Sequence, residues 1–213
     1  MSMDAARRRW LWRAGMVSLS GLGALSSACQ SMGPASDAVS GSGSADATAM
    51  LDDLERRTFN FFWETTDASS GLAPDRWPTP SFCSVAAVGF ALTGVCVGVS
   101  RGWITRAQGR DRVLTTLKTL RDAPQGPQAS GTAGHQGFFY HFLDMGTGTR
   151  FARCELSTVD TALLLAGMLC CQSYFDGSDT DESRLRAQVD DIYALVDWSW
   201  AQVRPPLIGH GWH

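Results

Sequence analysis

Two long, almost uncharged segments constrain this chain more than any other feature. Ser81 to Gly98 contains no acidic or basic side chain, and it is dense in Ser84, Ala86, Ala87, Gly89, Ala91 and Gly94. Ser157 to Phe175 has the same character and carries Asp160 near its start. Both have helical length, and both alternate with amphipathic stretches. Leu51, Leu54, Phe61 and Phe62 form the apolar face of a helix over 47–64, opposite Asp52, Asp53, Glu55, Arg56 and Arg57. A third helix starts at Thr105, with Gln108 completing a capping box and Val113, Leu117 and Leu120 as its buried stripe. A fifth spans 183–202, with Leu185, Val189, Ile192, Val196 and Trp200 on one face. An uncharged helix is buried either in protein or in a bilayer. Two of them alternating with amphipathic neighbours favour an all-α chain of helical hairpins in inner and outer layers. Phe90 and Leu164, at the centres of the uncharged helices, are expected to be almost fully buried.

The connections carry the remaining pattern. Residues 65–80 form a loop with Gly71, Pro74, Pro78 and Pro80, and residues 122–154 form a longer one. Loops of that length are functional or disordered. The aromatic run Gly137-Phe-Phe-Tyr-His-Phe-Leu143 and the segment Thr149-Arg-Phe-Ala-Arg-Cys154 flank Gly146-Thr-Gly148, a pattern that predicts a β-hairpin around a glycine turn.

The N-terminus reads as a targeting segment. Arg7, Arg8 and Arg9 precede Trp10 and Leu11, a twin-arginine pattern, and the apolar run from Ala14 ends at Ala28-Cys29. Cys29 is the expected acylated residue of a lipoprotein, with a simple cleaved signal as the alternative. Residues 1–29 are therefore assigned to export, and residues 30–46, rich in Ser, Gly and Ala, to a flexible tether. The expected location is the periplasm or outer membrane, with the membrane as a partner through the lipid.

Charge argues against nucleic acid. The chain has 18 basic and 21 acidic side chains. Four of the arginines stand in residues 1–28, so the rest of the chain is more acidic still and has no basic stripe for phosphates. Of the 6 cysteines, those after Cys29 are odd in number and sit mostly in apolar helical segments. They are expected to pack as small hydrophobes rather than as a disulfide frame. No metal-ligand spacing, phosphate-cradling loop or nucleophile elbow is present in the pattern, and neither a metal nor a cofactor is expected.

The candidate chemistry is carboxylate chemistry. Glu155 and Asp160 flank the start of the fourth helix. They fit the acid and base of glycoside hydrolysis. Each has a structural alternative: a helix-end carboxylate for Glu155 and a buried hydrogen-bonding acid for Asp160. The helix-end explanation is the weaker for Asp160, which lies further in. Asp75 and Arg76 suit sugar hydroxyls or a loop ion pair. Asp144 suits a sugar contact or a turn before Met145-Gly146. Trp77, Phe139, Tyr140 and Phe142 suit stacking on pyranose faces or packing of the hairpin. His141 suits a polar contact in the same site.

Three of these segments resemble the glycoamylase-like family, which includes bacterial endo-β-1,2-glucanases and a domain of cyclic β-1,2-glucan synthases. They are Gly71-Leu-Ala-Pro-Asp-Arg76, Gly137 to Asp144 leading into Thr147-Gly148, and Glu155-Leu-Ser-Thr-Val-Asp160 running on to Gly167. Val196-Asp-Trp-Ser-Trp200 is a weaker fourth match. The resemblance covers about Leu51 to Trp212. It implies part of an (α/α)6 toroid of inner and outer helices with a glycan cleft at one end. It also implies an inverting hydrolase acting on an oligo- or polysaccharide, with a β-1,2-linked glucan as substrate. Family members continue where this chain reaches Gly209-His-Gly-Trp-His213, so residues 47–213 are expected to be the N-terminal half of the ring, inactive alone. The alternative is a non-catalytic glycan-binding or envelope lipoprotein. The lipid assignment has a direct test. Cys29→Ser should move the protein from the membrane to the soluble fraction of lysed cells, and a variant that stays membrane-bound would remove the assignment.

Overall fold

The computed structural model describes the backbone of residues 42–213 and the side chains from residue 46 onward. The export segment, Cys29 and most of the expected tether lie outside the described residues. The chain divides into two units, residues 1–55 and 56–213. In the first, the described residues are the opening turns of helix α1 (Ser42–Thr65), where Met50, Leu51 and Leu54 are exposed. The helix starts at Ser42, inside the stretch assigned to the tether.

The second unit holds strand β1 (Cys83–Ser84) and helices α2 (Val85–Ser100) and α3 (Arg106–Asp122). Short strands β2 (Gly134–His135), β3 (Phe138–Tyr140), β4 (Phe142–Leu143) and β5 (Leu156–Ser157) follow. Helices α4 (Thr158–Tyr174) and α5 (Thr180–Ala194) come next, then β6 (Gln202–Arg204), β7 (Leu207–Ile208) and β8 (Gly211–Trp212). Side chains set the helix starts. Ser84 accepts from the Ala87 amide, Thr105 and Gln108 form the expected capping box, and Asp179 accepts from the Asp181 and Glu182 amides.

The two uncharged helices pack on each other, and the two charged ones, α3 and α5, pack on each other beside them. The reason is the small-residue stripe. A Cβ on Gly167 would lie 2.1 Å from the carbonyl oxygen of Gly89, and one on Gly89 would lie 2.4 Å from that of Leu163. Only glycine allows α2 and α4 this backbone approach. Leu164, Leu165, Met168, Val88 and Leu92 fill the adjoining core. Among the described residues no helix is long and apolar enough to cross a membrane.

Three expectations change. Leu164 is buried at 0%, but Phe90 is 54% exposed. The stripe that meets α4 turns Phe90 away from it, onto a strip of α2 with Thr93 that its neighbours leave open. The fifth helix ends at Ala194 rather than 202. Asp197 accepts from the Trp200 amide in a turn, and Trp198 and Trp200 close on Phe138 at ring distances of 5.2 and 6.1 Å. The predicted hairpin exists only at its tip, where Phe151 donates to the Phe142 carbonyl at 3.0 Å and Asp144 to that of Thr149 at 2.8 Å. The body of the aromatic run pairs elsewhere: β3 with β2 and β5, and β4 with β1.

The glycine contact predicts a measurable cost. Gly167→Ala should lower unfolding stability in urea by about 1–3 kcal/mol, the range for overpacking a tight core. An unchanged midpoint would show that the two helices separate freely at this point.

Candidate functional site

Helix α4 and strand β3 build the site together. Ser157 caps α4: its hydroxyl oxygen accepts from the Asp160 amide at 3.1 Å, and its O–H donates to the Asp160 carboxylate. Thr161, one turn in, accepts from the Phe139 amide at 2.9 Å and ties β3 to the helix. The β3–β5 pairing sets Tyr140 opposite Leu156. His141 then donates its amide to the Glu155 carbonyl at 2.9 Å, and its own carbonyl accepts from the Val85 amide at the start of α2. His141 is thereby fixed between the beginnings of both uncharged helices.

Its ring faces two carboxylates. Nδ1 lies 2.8 Å from Glu155 Oε1, and Nε2 lies 3.5 Å from Asp160 Oδ1. Phe142 stacks on the imidazole at 3.7 Å between centroids. Burial pushes the Glu155 carboxyl up. Its own backbone amide, the hydrogen bond and charge of His141, and the charge of His213 outweigh that and hold it below the ordinary range. Asp160 is buried, satisfied by Ser157 and the imidazole.

These contacts reverse one expectation. Asp160 is the third residue of α4 and takes part in its cap, so the helix-end explanation applies to it. Glu155 precedes the capping serine, outside the helix, and its partner is His141. The ligand atoms of His141, Glu155 and Asp160 all lie within 4.8 Å of one another, a nitrogen and oxygen set of the kind that can hold a divalent cation. The hydrogen bond from Nδ1 to Oε1 already satisfies two of those atoms within the protein.

The other candidates fall into two groups. Arg76 and Asp144 line an open cleft of about 450 Å³ with Ser81, Phe82, Met145 and Phe151. Asp75 pairs with Arg76 at 3.0 Å, and the Arg76 guanidinium lies over the Phe82 ring. Asp144 is also the turn former, accepting from the amides of Thr147 and Gly146 and the Thr147 hydroxyl, which hold its carboxyl low. Phe82 meets Phe142 at 4.3 Å in a tilted pair, so the cleft wall runs through touching rings to His141. Tyr140 and Phe139 do not join them. Phe139 is buried, and Tyr140 is only 7% exposed, with the Arg150 guanidinium 4.3 Å over its ring. Trp77 stands 64% exposed, outside the residues that line the cleft. Sequence reasoning missed Phe82, Met145, Phe151 and the hydroxyl of Ser157. Ser157 had a signal, its position three residues before an acid at a helix start; the cleft residues had none.

The site therefore sits in a unit that combines helices with a few small sheets, its carboxylates at a helix start. No protein-family model matches the chain. Over 157 residues it is 29% identical to an exo β-1,2-glucooligosaccharide sophorohydrolase (non-reducing end) of Parabacteroides distasonis, covering 71% of this chain and 20% of that protein. The crystal structure of a β-1,2-glucanase from Parabacteroides distasonis superposes with a TM-score of 0.68 at 27% identity, covering 78% of this chain and 24% of that one. An endo-β-1,2-glucanase of Chitinophaga pinensis gives a TM-score of 0.67 at 24% identity, covering 78% and 41%. The curated and structural neighbours point to a glycoamylase-like and β-1,2-glucanase family over most of this chain. The chain spans about a fifth of the length of the curated relative.

The His141–Glu155 contact has a titration consequence. A carboxyl held low stabilises the fold above its unfolded value near 4.5, and that stability is lost as pH falls through the lowered native value. In His141→Ala two of the effects that lower it are lost and the Glu155 carboxyl should titrate at higher pH, read by carbon NMR of the labelled side chain. An unshifted curve would assign the effect to the backbone amide and the charge of His213.

Proposed function

We propose that this chain is part of a glycoside hydrolase acting on β-1,2-linked glucan. In this reading residues 56–213 are a section of an (α/α)6 toroid, and Glu155 is the acid or base on one wall of its cleft. The observation that carries the proposal is the convergence of Glu155, His141 and Asp160 at the starts of α2 and α4. The similarity to a sophorohydrolase and a β-1,2-glucanase supports the substrate class.

The geometry favours a division of labour between the two acids. Inverting hydrolysis needs an acid and a base about 6.5–9.5 Å apart, with a sugar and water between them. Here the imidazole of His141 occupies the space between Glu155 and Asp160. The two therefore act from one side of a scissile bond. Glu155, which keeps one oxygen clear of the helix cap, is the group that exchanges a proton with substrate. Asp160, held by Ser157 and facing Nε2, fixes the imidazole that orients Glu155. The opposing carboxylate comes from another part of the whole protein. Arg76 and the Phe82–Phe151 wall offer a charged donor and apolar faces to a pyranose in the adjoining cleft. We also propose that the protein works outside the cytoplasm on a lipid anchor at Cys29, as Arg8-Arg9 and Ala28-Cys29 suggest.

The test is product release from β-1,2-glucan by the enzyme that contains this chain together with the rest of its ring. Glu155→Gln keeps the shape and removes the proton chemistry, so kcat should fall by about 10²–10⁴. Asp160→Asn should lower it as well, with a shifted pH profile. Residues 47–213 alone should bind β-1,2-gluco-oligosaccharide with little turnover. Near-normal turnover by both variants, with only a lower melting temperature, would reduce the two acids to helix-end structure and favour a glycan-binding role.

A further inference from the structure

The α2–α4 contact carries a second chemical feature, independent of the glycan site. Cys96 on α2 faces two adjacent thiols on α4. Its Sγ lies 3.6 Å from that of Cys171, and Cys170 is the preceding residue of α4. Cys96 and Cys171 are buried, whereas Cys170 is only partly covered. The glycine stripe that lets the backbones approach runs along the same interface, with Gly89 and Gly167 in contact one to two turns away. A disulfide brings its two sulfurs to about 2.05 Å, against the 3.6 Å between Cys96 and Cys171 here.

We propose that Cys96, Cys170 and Cys171 form an oxidation site, at which a small-molecule disulfide enters through Cys170 and Cys96 closes a protein disulfide onto the Cys170–Cys171 pair. The steps balance by exchange. The Cys170 thiolate attacks one sulfur of the oxidant, forming a mixed disulfide and releasing one thiolate. Cys96, losing its proton to solvent, attacks the Cys170 sulfur and expels the second small thiol. Two protein thiols are oxidised, one small disulfide is reduced to two thiols, and no other reactant is needed. Contact with Cys96 and burial both push the Cys170 thiol up. At Cys96 the bond from Cys170 pulls down, but Cys171 and burial push the thiol above its ordinary range. The thiols are therefore mostly protonated near neutral pH, and the exchange is slow and faster in alkali. The product staples the two helices on which the unit is built.

The experiment treats the full chain with oxidised glutathione at pH 8.5, alkylates the free thiols and maps the disulfides by mass spectrometry. The expected product joins the peptide carrying Cys96 to the one carrying Cys170 and Cys171, and the thermal midpoint rises by about 5–10 °C. Cys96→Ala should leave a glutathione adduct on Cys170 without a cross-link. Cys170→Ser should slow the reaction at least tenfold, and Cys83→Ser should leave it unchanged. If Cys96→Ala fails to fold by circular dichroism, Cys170→Ser and the wild-type map decide. Glutathione on Cys170 of the wild type with no cross-link, a bridge through Cys29, Cys83 or Cys154, or five unreacted thiols after Cys29 would each overturn the proposal.

Discussion

The backbone approach of α2 and α4 at Gly89 and Gly167 is the contact on which the rest of the second unit depends. With a carbonyl oxygen 2.1 Å from where a Cβ would stand, the two helices meet through peptide groups rather than side chains. Their flanking side chains can then interdigitate, and Leu164, Met168 and Val88 are almost wholly withdrawn from water. The starts of both helices are brought side by side, at Ser84 and Ser157. The strands that enter them, β1 and β5, are held close enough for the aromatic segment 138–143 to bridge both. The site is a product of that bridge. His141 is the residue between the two pairings, its amide bonded toward α4 and its carbonyl toward α2.

A second consequence concerns charge. The helix pair is apolar, so ionisable groups collect at its ends and around it. At the ends, Glu155 and Asp160 face one imidazole. On the outer pair, Arg106 on α3 reaches the buried Glu182 on α5 in a two-pronged bond, with Oε1 at 2.6 Å and Oε2 at 2.7 Å. The bond from Arg106 holds the Glu182 carboxyl low against the opposing effect of burial. A buried carboxylate without such a partner is strongly destabilising. The two clusters differ in what they leave accessible. Glu182 is fully enclosed, whereas Glu155 and His141 remain partly exposed beside the cleft. That difference separates a group that fastens two helices from one that can meet a ligand.

Local signals carried two of the helix starts, those of α3 and α4. Thr105 and Gln108 cap α3 as their spacing requires, and the uncharged stretches became α2 and α4, because capping and apolar composition act within a few residues. The same local rules carried Glu155 and Asp160 to one place, since both lie within a turn of Ser157. They could not assign the roles. Which acid belongs to the cap depends on where the helix begins, and the placing of His141 between the two depends on a strand register set by residues 134–157.

The sequence by itself determined the two apolar helices, the carboxylates at a helix start and a charge balance with no basic stripe for phosphates. Only the tertiary structure decided the partners. Phe138–Tyr140 pairs with β2 and β5 instead of folding back on 149–154, Phe90 turns outward, and Trp200 leaves the helix to join Phe138 and Trp212. Strands of two or three residues have too few bonds to choose a partner on their own. Their pairing follows from helices held together through glycine, a long-range constraint that no window of neighbouring residues contains.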